Sequence, residues 1–414
     1  MRNWLKQSYF TITMKKFSAH LDWIDKEFEN TLQLLDSWVA INSWSENLAG
    51  LNLMAEKLKD SFAKICDQTE EIVLPEWRKI NAQGALTITP LGKAISFVRR
   101  PQSKRKIFFC GHMDTVFSPQ SNFQTPYRID QEKCVGPGIA DMKGGLAILL
   151  LALRAFEKSP LADEIGWEVF INPDEEIGSV GSKEIIAKKA PLYEFGLLFE
   201  PAFPDGAIVG QRKGSANYTV LVKGRSAHVG RDFHLGKSAI AALARFIVNT
   251  ETFQALMPGL IMNIGQLQGG GPLNIVPNLA SCKINARFNE SEDLYKIDQK
   301  LQAFAALENQ LSGMKIEIHR EATRFPKNVD KKTEILYQQF KECAALLNQE
   351  LIMRPTGGVC DGNTLASAGL ANLDTLGAVG GDIHTEGEYI LVDSIRQRAK
   401  LLALFLLNYA EKKV

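Results

Sequence analysis

Three apolar runs constrain the fold of this chain more than any other feature. "KIFFCGH" (106–112), "GWEVFINP" (166–173) and "FGLLFEP" (195–201) have the length and continuity of strands buried on both faces. Between them lie helical stretches, "GGLAILLLALRAFEK" (144–158) and "GSKEIIAKKA" (181–190). Apolar strands alternating with helices predict an α/β fold whose mostly parallel sheet is covered on both faces. Upstream, residues 17–65 carry helical periodicity, with Leu34, Leu35, Trp38 and Val39 on one side.

The pattern changes near Gly214. "SANYTVLVKG" (215–224) alternates with period two, as a strand with one solvated face does. A helix over 236–252, strands at 260–268 and 280–288, a helix over 291–308 and a strand at 315–321 follow. That order, βαββαβ, is the ferredoxin-like unit. Helical and parallel-strand character returns after "RFPKNVD". The reading is therefore a catalytic domain in two parts, 1–213 and 325–414, with 214–324 inserted as a second domain. A length of 414 residues exceeds one ordinary core and agrees with two.

Charge and cysteine content narrow the function classes. Lys and Arg number 48 against 47 Asp and Glu, so no global field recruits nucleic acid or anionic lipid, and neither partner is expected. The six cysteines are scattered and form no C-x-x-C pair, which argues against a disulfide framework or a thiolate zinc site. The N-terminal stretch has no apolar h-region, and Met1 and Met14 are both candidate starts. The most apolar run, 146–156, is too short to cross a bilayer. A cytoplasmic protein with reduced thiols is expected.

The strands end in polar clusters: His112 and Asp114, then Glu175 and Glu176, then Glu200. Open α/β sheets bind ligands beyond the carboxyl ends of their strands. Asp141 in "GPGIADMKGG" and His384 in "GGDIHTEGE" lie in comparable Gly-rich loops. A turn histidine, or a Glu pair on a surface loop, carries no chemistry by itself. Together, His112, Asp141, Glu175, Glu176, Glu200 and His384 offer imidazole and carboxylate without thiolate. That set suits a catalytic zinc pair, or a comparable divalent site, better than structural zinc. Asp114 can accept the second ring N–H of His112 and fix its tautomer. Arg287 ends an alternating strand and needs an anionic partner, either an internal carboxylate or a substrate carboxylate. Asn274 is a similar candidate. His20, His234 and His319 match no motif.

These motifs, "GHMDT", "GPGIADMKGG", "NPDEEIGS", "FEP" and "GGDIHTEGEYI", together with "KGRSAHVG" and "LNIVPNLASCKINARF", resemble the zinc exopeptidases that include acetylornithine deacetylase, succinyl-diaminopimelate desuccinylase and glutamate carboxypeptidase. The resemblance runs from about residue 30 to the end. It implies two Zn²⁺ per subunit, with Co²⁺ able to substitute, and Asp141 bridging them. His112 and Glu200 would complete one site, Glu176 and His384 the other, and Glu175 would be the general base. Glu at position 200 goes with carboxypeptidases and deacylases, Asp with aminopeptidases. The inserted unit would be a lid and dimerisation domain. His228 would donate to the scissile carbonyl oxygen, in its own subunit or a homodimer partner's, and Gly358 in "GGVCDGN" would contact substrate. The implied function is hydrolysis of an amide in a small substrate with a free carboxylate. A glutamate-carboxypeptidase-like enzyme comes first, and an N-acyl-amino-acid deacylase second. Two departures stand out: "AFPDGAIVGQRKG" after Glu200 aligns with no one specificity, and Cys360 replaces a small or hydroxyl residue.

A silent scaffold should have lost a ligand or the base, and none is missing. A nucleotide-binding protein should carry G-x-G-x-x-G or G-x-x-x-x-G-K-[ST], and neither is present.

Overall fold

The computed structural model describes residues 2–412. Met1, one of the two candidate starts, lies outside them. A six-stranded sheet runs in the order Gln68–Val73, Lys93–Arg99, Gly166–Asn172, Lys106–His112, Phe195–Leu198, Asn372–Leu373. The last four strands are mutually parallel, and Lys93–Arg99 pairs antiparallel with both of its neighbours. The sheet is thus mostly parallel, with one reversed strand. Sequence patterning left residues 66–105 unassigned: most of their strands are exposed and polar, as "QTEEIV" shows, and the buried run within Lys93–Arg99 is only four residues long.

On one face the helices Arg2–Val39, Leu48–Phe62, Gly144–Phe156 and Val392–Glu411 share a single apolar core with the sheet. On the other, a smaller cluster lies beneath Lys183–Lys189 and Asp361–Ser367. Gly144–Phe156 is buried almost all round, which explains its unbroken run of Leu, Ile and Ala. The helical region expected over 17–65 is two helices. The chain leaves the first after Val39 and re-enters at Asn47, whose side chain accepts from the Gly50 N–H at 3.2 Å. The interruption has a use: Trp44 bridges to Thr115, and Ser45 reaches Asp114.

Residues 214–324 build a four-stranded antiparallel sheet in the order Ile261–Gly269, Leu279–Phe288, Gly214–Lys223, Lys315–Arg324. Ala239–Leu256 and Ser291–Ser312 cover one face and share a separate core with it. The last strand extends to Arg324, beyond the expected 321, and the helix extends to Ser312, beyond 308. Where the chain passes between the two sheets, Arg212 and Lys327 exchange backbone hydrogen bonds of 2.9 and 3.0 Å. Both side chains then converge on the buried Asp374.

A hairpin, Trp77–Ile80 with Leu86–Thr89, reaches across to the second sheet's uncovered face. Its turn "NAQG" is set by Asn81, whose side chain accepts from the N–H groups of Gln83 and Ala85. Gly84 has φ +81°, and a Cβ there would lie 2.5 Å from Leu221 Cδ2. Only glycine suits that contact.

Candidate metal centre

The strand Lys106–His112 delivers His112 to the sheet's carboxyl edge, where its side chain is buried. Its Nδ1 lies 3.0 Å from the Asp114 carbonyl oxygen and 3.4 Å from Asp114 Oδ1. The backbone carbonyl is the nearer group, and the carboxylate expected from sequence lies just beyond it. The fully buried Asp114 carboxylate accepts from Ser45 Oγ at 2.7 Å and from the N–H groups of Glu175 and Glu176, both at 3.1 Å. Asp114 thus fixes the loop carrying both glutamates.

Asp141 is held from its backbone. Glu388 Oε1 accepts from the N–H groups of Ala140 and Asp141 at 2.9 and 3.0 Å. The two Asp141 carboxylate oxygens face opposite partners. Oδ1 is 3.1 Å from His112 Nε2, which is also 3.7 Å from Glu200 Oε2. Oδ2 is 3.4 Å from His384 Nε2, which is 3.2 Å from Glu176 Oε2. Two groups result, His112–Asp141–Glu200 and Asp141–Glu176–His384, sharing Asp141.

The donor chemistry fits a pair of divalent cations. Each group offers one imidazole and two carboxylates, with no thiolate. Burial pushes the Glu176 and Glu200 carboxyls up, because a desolvated carboxylate needs a proton or a cation. Asp141 and Glu176 together push His384 up to about 11.

Glu175 belongs to neither group. Its Oε1 lies 2.8 Å from Arg324 Nη1, and burial pushes its carboxyl up to about 8. Arg324 is buried and also donates to Ser179 Oγ at 2.6 Å and to Asp361 Oδ1 at 3.2 Å. Asp361 in turn accepts from Asn172 Nδ2 at 2.5 Å. Sequence reading missed Arg324, Asp361 and Glu388. A buried position for Glu388 was hinted at by its place in "HTEGEYI", but Arg324 at a strand end carries no motif.

A cavity of about 830 Å³ lies between the two sheets, lined by Asp141, Glu175, Glu176, Glu200 and His384 on one side. Opposite stand Asn217, Asn263, Lys283, Asn285 and Arg287, with Gly358 at the margin. Arg287 forms no ion pair among the described residues, and its Nη1 is buried without a partner. His228 and Asn274 do not line this cavity. Their segments meet instead: His228 bridges to Ile275, the Asn274 carbonyl accepts from the Val229 N–H at 2.9 Å, and His228 Nδ1 accepts from the Gly230 N–H at 3.1 Å. Cys360 is buried, and its Sγ accepts from the Gly362 N–H at 3.3 Å, capping the Asp361–Ser367 helix. That departure is a helix cap.

Comparison with known proteins agrees with this geometry. Residues 108–408 match the model of peptidase family M20/M25/M40. Carboxypeptidase G2 of Pseudomonas sp. (strain RS-16) is 28% identical over 319 residues, covering 75% of each chain. A succinyl-diaminopimelate desuccinylase of Hahella chejuensis is 28% identical over 337 residues, covering 76% of this chain and 85% of its own. The fold matches the di-peptidase Dug1p of Saccharomyces cerevisiae with a TM-score of 0.76 at 14% identity, over 96% of this chain and 99% of that one. The chain belongs to peptidase family M20/M25/M40, and it is a metal-dependent hydrolase of amide bonds.

Proposed function

We propose that the protein hydrolyses an amide bond in a small substrate carrying a free carboxylate, as a glutamate-carboxypeptidase-like metallocarboxypeptidase. The observation that carries this reading is Arg287: a guanidinium lining the cavity opposite the ligand cluster, without a carboxylate partner among the described residues. Paired carboxylate recognition is what a planar guanidinium does best. An N-acyl-amino-acid deacylase shares all of this chemistry, and the likeness to desuccinylases keeps it as the second reading.

His112, Asp141 and Glu200 would hold one Zn²⁺, and Asp141, Glu176 and His384 the other. When bound, such ions polarise the amide carbonyl and acidify a water. Glu175, outside both groups, takes the proton from the attacking water and passes it to the leaving nitrogen. Asp114 holds the Glu175 and Glu176 backbone in place for these separate tasks. Arg287 anchors the carboxylate, and Gly358 leaves room for substrate at the cavity margin.

Residues 214–324 act as an inserted unit that closes the cavity and supports a homodimer. The exposed Val248, Leu256, Ile261 and Leu267 favour an apolar contact on that unit. His228, away from this chain's own cavity, fits a role at the partner's site through the carbonyl oxygen, and Asn274 beside it shares that placement. No helix among the described residues is long and apolar enough to cross a membrane. Six free cysteines support a cytoplasmic location.

The test is a panel of N-acyl amino acids and dipeptides with Zn²⁺ or Co²⁺, read by released amine. Turnover confined to substrates with a free carboxylate, and its loss in Arg287→Ala, supports the reading. Equal turnover of uncharged amides would overturn it.

A further inference from the structure

We propose that Asn285 is a positioning residue for Arg287: it grips the guanidinium through a neutral amide and leaves the positive charge uncompensated for the substrate. The inference rests on the carboxylate-anchoring reading above and deepens it.

Three asparagines stand in register on the cavity face of the second sheet. Asn217 pairs with Asn285, and Asn285 pairs with Asn263, on adjacent strands. All three line the cavity. Asparagine is disfavoured in strands, so three side by side oppose local propensity and call for a reason outside folding. The hydrogen bonds supply one. Asn285 Nδ2 donates to Asn217 Oδ1 at 2.6 Å and to Ser215 Oγ at 3.1 Å. With its nitrogen engaged there, the amide presents Oδ1 to Arg287, whose Nε donates to it at 2.8 Å.

The usual companion of a half-buried arginine is a carboxylate. Here the orienting contact carries no charge, and Nη1 stays without a partner. Asp at position 285 would have the same shape and could accept from Nε equally well. It would also neutralise the guanidinium. The amide therefore separates orientation from charge, keeping the first contact while sparing the second for a ligand.

The experiment uses the metal-loaded full chain and pairs of probes, each N-acyl amino acid against its primary carboxamide. Asn285→Asp is expected to raise KM for the carboxylate member about tenfold or more, with kcat moving much less. The preference for carboxylate over carboxamide should fall towards that of Arg287→Ala. Asn217→Ala, which removes the nearer of the two acceptors bracing the amide, is expected to raise the same KM about two- to fivefold. A folded Asn285→Asp enzyme that keeps the wild-type KM and preference overturns the proposal. If Asn285→Asp does not fold, an unchanged KM in Asn217→Ala overturns it. A wild type without preference, or an Arg287→Ala enzyme that retains it, removes the carboxylate reading itself. That result is distinguishable, because it shows in Arg287 before any asparagine is changed.

Discussion

The ligand rim of the six-stranded sheet and the open face of the four-stranded sheet border one cavity and are built in opposite ways. The rim gathers Asp141, Glu175, Glu176 and Glu200 with two imidazoles, an anionic cluster that is stable only with protons or cations among its members. The open face sets Arg287 among neutral amides, while Lys283 beside it is paired with Glu321. One wall asks for cations and the other for an anion. A substrate of the kind proposed, with an amide at one end and a carboxylate at the other, would be oriented by that contrast before any shape is considered. Arg324 is where the walls meet: it ends a strand of the second sheet and pairs with Glu175 on the rim.

Chelation should break the contrast most severely. Metal removal is expected to abolish turnover by more than about a thousandfold, with recovery on adding Zn²⁺. The stripped protein should also lose stability as pH rises. Glu175 and Glu176 sit near 8 when folded against a usual value of 4.5. Their contribution is complete below about 4.5 and disappears as pH rises through about 8. His384, raised to about 11 from 6.5, acts in the same direction at higher pH. Thermal melts of loaded and stripped protein at pH 6 and pH 9 check this: the gap between them should widen with pH.

Within the rim, Glu175→Gln is expected to keep both metals and lose about 10²–10⁴-fold in kcat. Glu176→Ala should lose metal instead. Metal content by elemental analysis separates them, and equal metal loss would undo the division of roles. At the junction, Arg324→Met strands two buried carboxylates, Glu175 and Asp361. A loss of about 3–5 kcal/mol is expected in denaturant unfolding. Gly84→Ala sharpens the comparison from the other side. It forces a side chain into the left-handed region against Leu221, costs about 1–2 kcal/mol, and should leave metal content unchanged. The smallest effect belongs to Cys360→Ser, which keeps an N-cap acceptor and should change stability by less than about 1 kcal/mol.

The two walls also differ in how far they could be read in advance. The βαββαβ order and the strand-helix alternation were visible because burial imposes period and composition locally. Each member of the two donor groups was visible because a strand end or Gly-rich loop carries it within a few residues of a recognisable run. The antiparallel Gln68–Val73 and Lys93–Arg99 were not: the first is an exposed, polar edge strand, and the second buries a run of only four residues, Ser96 among them. Asp114 stands beside His112 as expected, and its carboxylate also holds the loop of Glu175 and Glu176, contacts 61 and 62 residues away in sequence.

The sequence by itself determined which side chains could meet a metal and which strongly patterned segments would be strands or helices, since spacing and hydrophobic period are local properties of the chain. Tertiary structure alone decided that Asp141 turns one oxygen to each donor group, that Arg324 holds Glu175, and that an amide rather than a carboxylate grips Arg287. Those are pairings between residues far apart along the chain. Their partners are selected by the packing of two sheets around a shared cavity, and nothing in either local stretch encodes the other.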